Sequence, residues 1–224
     1  MNSKRYFSIA AALLLCGSII AQTTYYNTRH EVGVTIGTGT VTELFSGIAQ
    51  LTEIGVSAAL TTAATVGNYT AYYTYGSKSY IPTVSVEYYY HVNKVIGVGG
   101  YVAFNGMTRD MYFEWTENGT GTHHKDMVGK GKLRNVSLIP TVKFDWLRKK
   151  HFGLYSKAGF GMSIMYESQK GENGSDTDYT DTSVIPNFEA TLIGAEVGSE
   201  TWRGFAEYGV GEQGMLCAGL RYKF

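Results

Sequence analysis

The stretch "VSVEYYYHVNKVIGVGGYVAFNG", Val84 to Gly106, decides how the fold is read. Ahead of Asn93 and Lys94, the residues Val84, Val86, Tyr88, Tyr90 and Val92 share one face of an extended chain, with Ser85, Glu87, Tyr89 and His91 on the other. Beyond them, Ile96, Val98, Val102 and Phe104 alternate with Gly97, Gly99, Tyr101, Ala103 and Asn105. Successive side chains of a strand point to opposite faces, so this period of two reads as two antiparallel strands joined by a tight polar turn.

The same alternation recurs along the chain. "NVSLIPTVKFDW" sets Val136, Leu138, Val142, Phe144 and Trp146 against Asn135, Ser137, Thr141, Lys143 and Asp145. "FGLYSKAGFGMSIMYE" sets Phe152, Leu154, Ala158, Phe160, Met162, Ile164 and Tyr166 against Tyr155, Lys157, Ser163 and Glu167. Weaker copies stand at "EVGVTIG", "NFEATLIGAEV", "WRGFAEYGV" and "LCAGLRYKF". The sum is about eight strands. Short polar connections at Asn93–Lys94, Arg148–His151 and Gly198–Thr201 alternate with longer stretches over 38–81, 115–131 and 169–183, and a brief tip follows near Gly211.

A soluble sandwich also alternates, but two features favour a membrane barrel. Several strands exceed the 5–6 residues usual in soluble proteins and reach the roughly 9–11 that cross a bilayer at a tilt. The polar face carries full charges in mid-strand: Glu87, Lys143, Asp145, Lys157, Glu189, Glu207 and Arg221. Facing a narrow lumen, such charges must pair. The expected fold is therefore all-β: a closed antiparallel transmembrane β-barrel of eight strands, with short periplasmic turns and a long, partly helical first outer loop. The helical part rests on Leu44, Ile48 and Leu51 at helical spacing. Ten strands is the alternative, if "EIGVSAAL" (53–60) and "YTAYYTYG" (69–76) each form one; both counts are even, as such barrels require.

Composition agrees. Of 224 residues, 28 are Gly, 18 Tyr and only 3 Pro, with 14% aromatic and 17% charged, which excludes a disordered chain. Residues 1–21 read as a secretory signal, with Lys4 and Arg5 ahead of an apolar run and Ala21 before the cut, leaving 22–224 as one barrel domain. Removal of Lys4 and Arg5 takes the 19 basic residues to 17 against 19 acidic, which gives no electrostatic basis for binding nucleic acid. Cys217 is then the one remaining cysteine, read as a small inert strand residue, so no intrachain disulfide forms.

The signal ending in "AQ", the first strand "HEVGVTIGTGT", the pair "YYYHVNKVIGVGGYVAF" and the terminal "LRYKF" resemble the small outer-membrane β-barrel proteins of Bacteroidota, similar in architecture to OmpA- and OmpX-type barrels. The resemblance covers most of the mature chain through pattern, not through invariant motifs. It implies an integral protein of the outer membrane in a Gram-negative bacterium and brings no catalytic residues. Leu220, Tyr222 and Phe224 resemble the last-strand signal read by the barrel assembly machinery. Tyr88, Tyr90, Trp146, Tyr166, Trp202 and Tyr208 fall near strand ends, where amphipathic rings form interfacial girdles.

Other motifs carry less. "GVGEQG" (209–214) matches a dinucleotide fingerprint in letters only, because no helix follows to hold a pyrophosphate; it reads as a glycine-rich hairpin tip. His123, His124 and Asp126 read as a solvated loop, and Asp176, Asp178 and Asp181 lack the glycine and distal glutamate of a calcium loop. No metal or cofactor is expected. An enzyme would need a nucleophile, a histidine and an acid together near the outer rim, and no local motif offers them. The expected role is structural, or a surface interaction through the outer loops, in a monomer whose lumen is filled by side chains and whose contacts are outer-membrane lipid and an extracellular ligand of unspecified identity. A narrow pore and a lipid-modifying enzyme are the alternatives.

Overall fold

The computed structural model describes residues 28–44, 64–66, 69–117, 119–171 and 179–224. Its strands are β1 (His30–Thr38), the three-residue β2 (Ala64–Val66), β3 (Tyr69–His91), β4 (Ile96–Glu117), β5 (His123–Arg148), β6 (Phe152–Gly171), β7 (Tyr179–Gly198), β8 (Trp202–Gly211) and β9 (Leu216–Lys223). Consecutive strands from β3 to β9 pair antiparallel, and β1 lies between β9 and β3. Eight strands thus form a closed ring, with β2 an extra ribbon on the upper part of β3. Reciprocal backbone bonds of 2.9 Å between His30 and Phe224 fasten one end of the seam. Closure leaves no free edge around this ring.

Period two governs which way each residue faces. In β5 the even residues from Val136 to Phe144 face outward, while Asn135, Ser137, Ile139, Thr141, Lys143 and Asp145 are buried inside. Phase is corrected by bulges where strand lengths disagree. At Thr191–Ile193 the ladder skips a residue, so Leu192 and Ile193 both face out and Glu196 turns in.

The lower end has the three tight connections read from the sequence, around Asn93, Lys150 and Glu200. At Asn93 the side-chain oxygen accepts from the backbone N–H of Val95 and Ile96, both at 2.8 Å, which closes the turn. The upper end departs from expectation. The stretches 115–131 and 169–183, read as loops, are mostly strand: β4 runs to Glu117 and β5 starts at His123 with a turn over 119–122 between them, and β6 and β7 stop only at Gly171 and Tyr179. "YTAYYTYG" is the start of β3 and not a separate strand, so the count is eight and not ten; 53–60 lies outside the described residues. Strands β3 to β7 run to 20–26 residues while β1, β8 and β9 have 8–10, so one wall stands far above the other.

The connection between β8 and β9 holds a second departure. Read as an outward hairpin tip, "GEQG" instead folds into the barrel, where Glu212 and Gln213 are fully buried. Gly214, at φ +114°, makes the required reversal, and a β-carbon there would strike the backbone of Thr38. Residues 41–44, the described part of the expected helix, lie beside this turn, and Thr40 and Val41 are buried with it. The signal segment 1–21 and the rest of that helix fall outside the described residues.

Candidate functional site

The lumen is built in three layers of polar side chains. In the lowest, Glu31 of β1 meets Lys143 of β5 at 2.7 Å, Lys223 of β9 at 2.9 Å and Nε2 of His91 at 2.8 Å. His91 Nδ1 faces Asp145 at 3.4 Å, and Arg148 lies 3.8 Å from both Asp145 and Glu31. Glu196 accepts from Lys223, and Arg203 donates to the carbonyls of Lys149 and Lys150 at 2.9 and 2.8 Å, closing the floor.

Arg221 dominates the middle layer. It donates to Glu87 of β3 through Nε at 3.0 Å and through a second guanidinium nitrogen, and to Glu196 of β7 at 2.9 Å. Lys157 of β6 reaches Glu207 of β8 at 2.7 Å and Glu87 at 3.1 Å. The Tyr155 ring lies between Arg221 and Lys143, at 4.9 and 4.3 Å from its centre, and its hydroxyl donates to Glu207 at 2.6 Å. These bonds cross the lumen between strands that are not neighbours. They fill an interior that eight strands leave just wide enough for side chains.

The in-folded turn makes the upper layer. Glu212 accepts from the side-chain amides of Asn105 (2.7 Å, β4), Asn135 (2.5 Å, β5) and Asn187 (2.9 Å, β7), and from the backbone N–H of Thr42 (3.3 Å). Gln213 accepts from Lys157 at 2.7 Å and donates to Ser85 at 2.9 Å. Below it Tyr101 donates to Glu189 at 2.9 Å. Three amides from three strands thus hold a carboxylate that no cation pairs with among the described residues.

All seven charges named from the sequence, Glu87, Lys143, Asp145, Lys157, Glu189, Glu207 and Arg221, are buried and inward. Sequence reasoning missed Glu31, Glu196, Arg148, Arg203, Lys223 and Glu212. Glu31, Arg203 and Lys223 carry the same inward parity as their neighbours, which was the available signal; Glu196 and Arg148 turn in only past the bulges at Thr191–Ile193 and Asp145–Leu147, and Glu212 gave no signal, because nothing local tells whether a turn folds in or out. Outside, Tyr88, Trp202 and Tyr208 are exposed, Tyr90 and Trp146 half-buried, and Tyr166 exposed near the top of β6. Leu220, Tyr222 and Phe224 also face out, with Phe224 stacked on His30 at 5.3 Å and on Tyr222 at 5.6 Å.

His123 and His124 lie on β5 and not in a loop. His123 faces Glu114 at 3.3 Å and His124 stacks on Trp115 at 4.8 Å. Among the described residues, no cluster of three or more His, Cys, Asp or Glu could hold a metal ion. Asp176 and Asp178 lie outside the described residues, and Asp181 is on β7. Cys217 points inward, its thiol 3.3 Å from Glu207. "GVGEQG" is a strand end and turn with no helix after it.

No protein-family model matches the chain, and no curated protein matches it.

Proposed function

We propose that the chain is an integral outer-membrane β-barrel of a Gram-negative bacterium, with a closed lumen and a structural or surface-interaction role carried by its tall wall. One observation carries this: the hydrophobic order is inverted. Phe160, Leu220 and Leu138 are 69%, 62% and 57% exposed on the outside, while Arg221 and Lys143 are completely buried inside. Apolar residues cover the outer face of all eight ring strands, from Val34 on β1 to Leu220 on β9. In water such a continuous belt is an aggregation hazard, whereas a bilayer solvates it. The short turns would face the periplasm and the tall wall the exterior.

The layers of crossing ion pairs and the in-folded turn support a plugged barrel over a conducting pore. Above the rim, β7 has no partner on its β8 side from Tyr179 to Phe188 among the described strands. That row of main-chain groups supports a surface-interaction role. Membrane fractionation with carbonate washing, followed by electrophoresis with and without boiling, tests the proposal. A carbonate-resistant band whose migration shifts on heating is expected; a soluble periplasmic monomer would overturn it.

A further inference from the structure

We propose that the outer face of β5 and β6 holds a binding site for the phosphate-bearing headgroup of an outer-leaflet lipid, formed by Lys130, Lys132, Arg134 and Lys170; the inference rests on the outer-membrane reading above. From Lys130 to Phe144 the even residues of β5 face outward, so Leu138 and Val136 of the apolar belt are followed upward by Arg134, Lys132 and Lys130. On β6, Met162, Ile164 and Tyr166 are followed by Ser168 and Lys170. The ladder places Val136 opposite Ile164, Arg134 opposite Tyr166, Lys132 opposite Ser168 and Lys130 opposite Lys170. All four cations are exposed, and a cavity of about 170 Å³ opens among Lys130, Lys132, Ser168 and Lys170.

Two lysines directly opposite on one face of an antiparallel pair repel and destabilise it. Asp110 stands across from Lys130 on β4, yet none of the four cations makes an ion pair among the described residues. An anion lodged between them would remove the repulsion. Position selects which anion. The cluster begins at the next outward residue above the belt, about 7 Å along the strand, where headgroups meet hydrocarbon. A lipid phosphate would sit among the lysines and Arg134 while its acyl chains lie on Val136, Leu138, Ile164 and Met162. Free phosphate would gain the charge but not the apolar contact.

The test uses the refolded full-length barrel in neutral detergent, titrated with phosphatidic acid and read by native mass spectrometry. The parent should retain phosphatidic acid over phosphatidylcholine. Each lysine near an anionic surface contributes about fivefold, so Lys130→Gln, Lys132→Gln and Lys170→Gln together should weaken retention about a hundredfold. Lys149→Gln with Lys150→Gln, at the opposite end, should leave retention unchanged. Equal retention by the triple variant would overturn the site, as would an equal loss in the control pair. Displacement by millimolar inorganic phosphate would overturn the lipid as its source. Heat-shifted migration of the same samples separates the two readings: without it both fail, and with it only the lipid site is at stake.

Discussion

Arg221 on β9 and Glu87 on β3 meet across β1, over the glycine that separates them in the sheet. Gly33 is the ladder partner of both residues, and its missing side chain leaves the space in which Nε of Arg221 comes within 3.0 Å of Glu87. A β-carbon at position 33 would fall 2.8 Å from Oε1 of Glu87. The seam is therefore held by backbone bonds and by a charge bond lying over them inside the barrel.

Removing one partner strands the other in a buried interior. Arg221→Met should destabilise the barrel by about 3–5 kcal/mol, because Glu87 and Glu196 lose their shared cation. Arg221→Met with Glu87→Gln should recover part of that loss. Gly33→Val, with both charges intact, should cost about 1–3 kcal/mol through overpacking. Denaturant midpoints in detergent measure all three, and an unchanged midpoint for Arg221→Met would contradict the network.

Glu212 gives a separate handle on the upper layer. Glu212→Ala takes from Asn105 its carboxylate acceptor and from Asn135 and Asn187 one acceptor each, leaving those two only hydroxyl acceptors, and should lower stability by about 1–3 kcal/mol. Planar bilayers containing the variant should stay silent, because Lys157, Arg221 and Tyr155 still fill the lumen beneath. Steady conductance from Glu212→Ala would contradict the filling of those layers.

Cys217 reports on the same question chemically. Its thiol faces the lumen beside Glu207. A water-soluble thiol reagent should modify it at least about a hundredfold more slowly in the folded barrel than in denaturant, since access needs local opening. Equal rates would mean a lumen open to water.

How much of this was legible depends on what alternation requires. Where one face is apolar and the other polar, as from Val84 to Phe104, period two placed each face correctly. Above the belt the contrast disappears: "MYFEWTE" on β4 and "HHKDMVGKGK" on β5 mix charge, aromatics and glycine on both faces, so these strands read as loops. Parity would have added Glu31, Arg203 and Lys223 to the inward charges, whereas Glu196 turns in only past a bulge that the sequence does not announce. The in-folding of "GEQG" was not legible, because its partners Asn105, Asn135 and Asn187 lie 107, 77 and 25 residues away.

Phe224 joins the seam through its backbone and its ring stack on His30. If it also serves as an assembly signal, Phe224→Ala should sharply reduce insertion in cells while refolding into detergent proceeds with nearly parental yield. Quantifying the heat-shifted band in both settings tests this; equal insertion in cells would count against the signal.

The central claim, that lipid covers the outer belt, is tested most directly by Phe160→Arg. Phe160 lies midway along the outward row of β6, between Phe152 and Tyr166. In a barrel solvated by water, a charge at so exposed a position would change stability by no more than about 0.5 kcal/mol. In a lipid-facing belt, arginine near the midplane costs about 2–4 kcal/mol. Unfolding free energies of parent and Phe160→Arg, measured in lipid vesicles, should differ by that larger amount; a difference within about 0.5 kcal/mol would contradict the membrane barrel.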